Sequence, residues 1–219
     1  MEQEMIIDCV SDCHGSYPEL PGGELLIVAG DLTARDLLQE HADFYEWLDA
    51  QTYVKKIVIA GNHDGIIDGD SINCLRGCSY LKDSGCLHGG FRIWGSPWTP
   101  IFCDWHFMLS PYEIRKKWAL IPEDTDILIT HGPPFGTLDK VSPRRSYRCG
   151  CEGLADRLTF LRHLKLHVFG HIHGSYGMIH PEGKHISVNC AHMDEDYRPV
   201  NKPIRVVLGE ELNNSVSQV

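Results

Sequence analysis

Apolar residues along the chain gather into short continuous runs, and each run stops at a polar turn that carries a histidine or an aspartate. Residues 5–9 give way to Ser11-Asp12-Cys13-His14-Gly15, residues 25–29 to Gly30-Asp31, and residues 57–60 to Gly61-Asn62-His63-Asp64. Further on, Ile127–Thr130 leads into His131-Gly132, and residues 167–169 lead into Gly170-His171-Ile172-His173. Short runs without alternation, bounded by Gly or Pro, predict strands buried on both faces. Between several of them the period changes to that of a helix. Over residues 33–50, Leu37, Leu38, His41, Phe44, Tyr45 and Leu48 recur at helical spacing, with Thr33 and Asp36 as candidate caps. Ser110-Pro111-Tyr112-Glu113 reads as an N-cap, a proline at N1 and a capping-box acid, opening a helix that ends near Trp118. Leu154, Leu158, Leu161 and Leu164 form the stripe of a third. Ile186–Asn189 and Ile204–Leu208 predict closing strands, and the residues after Glu210 a polar, frayed tail. Strand–helix–strand alternation predicts an α/β fold with parallel strands. The expected organisation is one domain over residues 1–210 with a C-terminal tail over 211–219.

Composition narrows the class. The 219 residues are 42% hydrophobic and 23% charged, ordinary globular values that exclude a disordered or fibrous chain. The longest apolar run, 25–29, is far too short to span a bilayer, and Met1-Glu2-Gln3-Glu4 lacks a signal-peptide pattern. A soluble, cytoplasmic protein with no membrane partner is the expectation. Net charge is −10, from 20 Lys and Arg against 30 Asp and Glu, the wrong sign for a protein that grips duplex nucleic acid. Nine cysteines without a C-x-x-C pair read as reduced, mostly buried thiols.

Chemistry concentrates where the five runs end. In open α/β sheets the carboxyl edge is where ligands bind, so the five turns should converge. Pooled, they supply Asp12, His14, Asp31, Asn62, His63, Asp64, His131, His171 and His173, more ligands than one ion needs. Mixed nitrogen and oxygen donors suit Mn, Fe, Zn, Ni or Co better than Ca or Mg.

Asp12-x-His14, Gly30-Asp31, Gly61-Asn62-His63-Asp64, His131-Gly132 and Gly170-His171-x-His173 resemble, in order, the five signatures of the calcineurin-like metallophosphoesterases. Gly95-Ser96-Pro97-Trp98-Thr99-Pro100, the segment from Ile127 to Pro134 and the segment from Leu166 to His171 are similar to its MPPED-like branch, which is related to class III cyclic nucleotide phosphodiesterases. The resemblance spans nearly the whole chain. It implies a four-layer αββα sandwich with two central mixed β-sheets and a dinuclear metal site at the strand carboxyl edge. It further implies one metal on Asp12, His14 and His173, another on Asn62, His131 and His171, and Asp31 bridging them, with Mn the first choice. Two cations roughly 3.5–4 Å apart acidify a bridging water and clamp the oxygens of an in-line displacement. The resulting hydroxide would attack phosphorus, with His63 beside the leaving group and Asp64 orienting its ring.

Other features weigh less. His41, His88, His106, His163, His167, His180, His185 and His192 read as packed or surface residues. Residues 95–100 read as a rigid turn, with Trp98 either core or a lip that stacks a nucleobase. Arg144, Arg145 and Arg148 form a local basic cluster, of which Arg148, beside Cys149-Gly150-Cys151, is the candidate phosphate-facing group together with Asn62 and His63. The expected activity is a phosphodiesterase acting on small phosphodiesters such as cyclic nucleotides. A phosphomonoesterase on the same site is the alternative, and a non-catalytic metal-binding scaffold a weaker one.

Overall fold

The computed structural model describes residues 4–142, 147–209 and 215–218. Its elements run β1 (Met5–Val10), β2 (Gly23–Ala29), α1 (Leu38–Ala50), β3 (Tyr53–Ile59), α2 (Gly69–Cys74), β4 (Cys78–Tyr80), β5 (Ser84–His88) and β6 (Phe91–Ser96). There follow β7 (Thr99–Pro100), β8 (Met108–Leu109), α3 (Pro111–Trp118), β9 (Ile127–Thr130), α4 (Glu152–Leu158) and β10 (Leu166–Phe169). The chain closes with β11 (Gly177–Ile179), β12 (Ile186–Asn189), β13 (Ile204–Leu208) and β14 (Ser215–Gln218).

Two six-stranded mixed sheets result, ordered β14-β13-β1-β2-β3-β4 and β11-β12-β10-β9-β6-β5. Strands β1 to β4 run parallel in the first, and β6, β9, β10 and β12 run parallel in the second. The period-2 geometry of a strand explains why the runs are apolar throughout. In β2, Leu25, Ile27 and Ala29 enter a core shared with Ile127 and Ile129 of β9 and Leu166 and Val168 of β10, between the sheets. The alternate residues Leu26 and Val28 face outward onto Phe44 and Leu48 of α1. On the far side Leu128 meets Ile114 and Trp118 of α3 and Leu154 of α4. Two sheets back to back with helices on both outer faces make the αββα sandwich that the family resemblance implies. Each fully buried aliphatic side chain contributes about 1.5–3 kcal/mol, against a few tenths for helix propensity, so packing holds the helical layers.

Three local differences from the sequence reading have physical causes. Helix α1 begins at Leu38, because Thr33 and Asp36 are occupied elsewhere: the Thr33 hydroxyl donates to the His63 carbonyl (2.6 Å) and Asp36 accepts from the Ile66 amide. Glu40 does the capping, accepting from the Leu37 amide at 3.1 Å. Residues 215–218 form a strand antiparallel to β13, which gives that strand's backbone a second partner where a frayed tail was expected. Segment 78–109, without a strong period, folds into β4 to β8. By contrast α3 starts as read, with Ser110 and Glu113 bonding each other's amides.

Two buried charged groups find hydrogen-bond partners inside this frame. Lys56, 1% exposed, donates from Nζ to the Leu48 and Gln51 carbonyls at 2.9 and 3.2 Å, satisfying the end of α1. Asp8 on β1 accepts the Tyr53 hydroxyl at 2.5 Å and two guanidinium N–H groups of Arg205 at 2.8 Å each. All nine cysteines are free, five of them buried.

Candidate metal centre

The site lies where β1, β2, β3, β9 and β10 end. Getting ligand side chains to turn back over those ends takes unusual backbone: Asp12, His14, Asp31 and His171 have φ of 52°, 44°, 51° and 66°. Such left-handed residues cost of order 1–3 kcal/mol each and persist only where the surroundings over-determine them. Glycine opens the remaining room. A Cβ on Gly170 would lie 2.0 Å from Asp12 Oδ2, and one on Gly30, at φ +95°, 2.6 Å from His131 Nδ1.

Two convergent groups form, Asp12 with His14 and His173, and Asp31 with His131 and His171, each with donor atoms within 4.8 Å of one another. A third, overlapping group joins His14, Asp31 and His63. Asn62 Oδ1 sits 3.0 Å from His131 Nε2, and Asp31 Oδ2 is 3.3 Å from the same nitrogen and 3.8 Å from His14 Nε2. Asp31 therefore stands between the two groups.

The imidazoles are aimed, not merely near. His14 Nδ1 donates to the Thr33 carbonyl, His63 Nδ1 to Ala34, His131 Nδ1 to Ala29 and His173 Nδ1 to Asp194, at 3.2, 2.8, 2.9 and 3.1 Å. A carbonyl only accepts, so each Nδ1 carries a proton and each Nε2 is turned toward the centre. His14 Nε2 is buried with no hydrogen-bond partner. The carboxylates are held as well: Asp12 accepts the His171 amide at 2.9 Å and Asp31 Oδ1 the His63 amide at 2.9 Å. Carboxylate and amide oxygens and imidazole Nε2 atoms crowded at one buried point are the chemistry of a divalent-metal donor set, and the seven residues Asp12, His14, Asp31, Asn62, His131, His171 and His173 fit it.

Electrostatics shows the same crowding. Burial raises the Asp12 carboxyl, but the His173 hydrogen bond and charge bring it down to about 2. Burial lowers His131, yet Asp31 lifts it to about 9, while burial and the adjacent His131 push His171 down to about 4. Burial and Asp31 push Asp64 up to about 7.

The expected roles of two residues change. Asp64 does not orient the His63 ring, which is held by Ala34. Its fully buried carboxylate instead accepts from the Leu32, Thr33 and Gly61 amides and the Thr33 hydroxyl, tying the turns after β2 and β3 together. Arg148 gives its guanidinium to Asp139, which also accepts from the Gly136 amide; Arg144 and Arg145 lie outside the described residues. Of the 95–100 turn only Pro100 reaches the site cavity, because the Trp98 indole donates to Asp83 at 2.9 Å.

The cavity over the centre measures about 550 Å³. Beside Asp31, Asn62, His63, His171 and His173 its wall is Ile101, Phe102, Trp105, Val141, Tyr147 and Tyr197. These aromatic and aliphatic residues sit in irregular segments with no periodicity, so no pattern along the chain announces them. Tyr197, itself at φ 58°, packs between the rings of His14 and His173, at 5.2 and 4.9 Å. No helix among the described residues is long and apolar enough to cross a membrane.

Comparison with known proteins agrees with this geometry. The calcineurin-like phosphoesterase profile matches residues 5–175. Metallophosphoesterase domain-containing protein 1 of Homo sapiens is 40% identical over 235 aligned positions, covering 94% of this chain and 72% of that protein. One solved structure superposes with a TM-score of 0.70 at 13% identity, over 100% of this chain and 99% of its own. A Staphylococcus aureus chain assigned as a 5'-nucleotidase superposes with a TM-score of 0.60 at 14% identity, over 99% of this chain and 53% of its own. At such identities the solved structures show the fold alone. The profile match and the human relative go further: the chain belongs to the calcineurin-like phosphoesterase family, hydrolases of phosphoesters that use divalent metals.

Proposed function

We propose that the chain is a dinuclear metal-dependent phosphodiesterase of the cytoplasm, acting on small phosphodiesters such as cyclic nucleotides, with Mn as its preferred metal. The observation that carries this reading is the wall of the cavity. Apart from the donor set it is apolar and aromatic, and among the described residues no lysine or arginine lines it. A phosphodiester has one negative charge and two organic arms. It suits a wall that offers rings and aliphatic surface. A phosphomonoester brings a second charge that no lysine or arginine among the described wall residues meets, and the Arg148 guanidinium pairs with Asp139.

Two divalent cations, when bound, would supply an activated water and neutralise charge on the phosphoryl oxygens. The protein's own groups do the rest. Asp12, Asp31 and the Nε2 atoms of His14, His131 and His173 hold the donor set without rearrangement, because hydrogen bonds already fix each ring. His63, with Nδ1 on the Ala34 carbonyl, has Nε2 left for the cavity; in its doubly protonated form the ring can pass the Nε2 proton to the departing ester oxygen and keep the Nδ1 proton on Ala34. The aromatic wall offers the organic arm a surface to pack on and so orients it.

The test is hydrolysis of bis(p-nitrophenyl) phosphate against p-nitrophenyl phosphate by metal-stripped protein, with and without added Mn. Mn-dependent turnover favouring the diester by about tenfold or more in kcat/KM is expected, a difference of about 1.4 kcal/mol in transition-state binding. Preference for the monoester would replace the reading with a phosphomonoesterase.

A further inference from the structure

The reaction as proposed needs the His63 imidazole in one place, yet only one nitrogen of that ring is tethered. Its other restraint comes from a segment far away in sequence. Trp105 lies against the ring, centroid to centroid 4.3 Å with the planes 32° apart, while His14 meets the ring in a T-shaped contact at 4.7 Å and 85°. Trp105 is 45% exposed, which makes it an expensive residue to leave at a surface unless its buried face matters.

Segment 101–107 is held so that this contact persists. At its base Thr99 and Ile101 donate backbone N–H groups to the Phe107 and Leu109 carbonyls at 2.9 and 3.1 Å, within the short parallel β7–β8 pair. At its tip the His106 amide donates to the Asn62 carbonyl at 3.2 Å, and the His106 ring approaches Asp36 at 3.4 Å. Asp36 in turn bonds His41 at 2.9 Å and accepts the Ile66 amide, so the lip is fastened to the turns after β2 and β3. The ring of His106 comes so near Gly65 that a Cβ there would be 2.4 Å from it.

We propose that Trp105 is a positioning residue for His63: the lip 101–107 presses the indole onto the imidazole and so fixes the direction in which Nε2 meets the substrate. This rests on His63 acting as the proton donor of the phosphodiesterase reading. Without the indole the ring can swing about its remaining tether at Ala34, and displacement of a reacting group by about 1 Å can cost on the order of a hundredfold in rate.

The experiment combines structure and kinetics. In metal-free protein the His63 ring-proton resonances, identified by their loss in His63→Gln, are expected upfield under the indole ring current. They should move downfield and broaden in Trp105→Ala. In Mn-loaded protein the same variant is expected to keep its metal content but lose roughly tenfold to a hundredfold in kcat on bis(p-nitrophenyl) phosphate, with Trp105→Phe restoring most of it. Because Trp105 also lines the cavity, a second variant separates the roles. Gly65→Ala leaves the wall chemistry intact and dislodges His106, so kcat should fall several-fold with KM within about twofold. Unmoved His63 resonances, or a Trp105→Ala effect confined to KM, would overturn the inference. Absence of Mn-dependent turnover in the unaltered protein would instead overturn the phosphodiesterase reading beneath it.

Discussion

Strand β1 carries two buried aspartates that face opposite fates. Asp8 sits inside the sheet with every strong partner it needs: Arg205 bidentate, Tyr53 completing the shell. Asp12, just past the strand, sits among His14, His173, His131 and Asp31, where ligand-type side chains crowd together and His14 Nε2 has nothing to bond. Both are fully buried, so burial does not separate them. Satisfaction does. A closed set of donors and acceptors belongs to the scaffold, whereas an open set held rigid by outer hydrogen bonds is built to receive something.

Three substitutions test that division. The largest effect is expected from Asp31→Asn, which weakens the group standing between the two donor sets. Turnover should drop by about 10³-fold or more. Elemental analysis after Mn loading should show fewer ions per chain, while the melting temperature of the stripped protein stays near its original value. A melt that collapses without metal would place Asp31 with the scaffold. Next comes Asp8→Ala, which strands the Arg205 guanidinium beside a buried pocket. Because Arg205 is about a quarter exposed, we expect a loss of about 2–4 kcal/mol, at the lower end for a broken buried pair, and a normal Mn content. In a chain of this size that corresponds to a melting temperature lower by very roughly 5–15 °C. The smallest effect is expected from Tyr53→Phe, which removes one of three bonds to Asp8 and should cost about 1 kcal/mol in denaturant melts. Loss of bound metal in either scaffold variant would break the comparison.

How much of this was readable beforehand follows from the same contrast. The central strands announce themselves because both faces of β2, β3, β9 and β10 are buried, leaving runs such as Ile127–Ile129 apolar at every position. The donor set is legible because a ligand must be a His, Asp or Asn, and glycine must stand beside it where the chain crowds. Role is less legible than identity. Asp64 has the residue type of a ring-orienting acid, yet its carboxylate is taken by the backbone of residues 32, 33 and 61. Arg148 has the type of a phosphate ligand but lies against Asp139. The cavity wall was invisible, since Phe102, Trp105, Tyr147 and Tyr197 are scattered aromatics whose meeting depends on tertiary packing. Helix α1 was placed too early for a similar reason: Thr33 can cap a helix or bond His63, and only the fold decides.

The pairing of β1 with β13 sets the order in which these features can come into being. Met5 lies opposite Leu208, and Asp8 waits for Arg205, 197 residues downstream. The donor set has the same reach, since His171 meets Asp12 across 159 residues and His131 meets Ala29 across 102. A chain emerging from a ribosome can assemble the parallel block of β1, β2 and β3 early, but with one edge open and Asp8 uncompensated. Neither half of the molecule contains a finished metal centre. Contacts so distant along the chain form slowly, and until they do an apolar sheet edge is exposed to other chains. Completion of the site by His171 and closure of that edge by β13 therefore both wait on segments made long after β1.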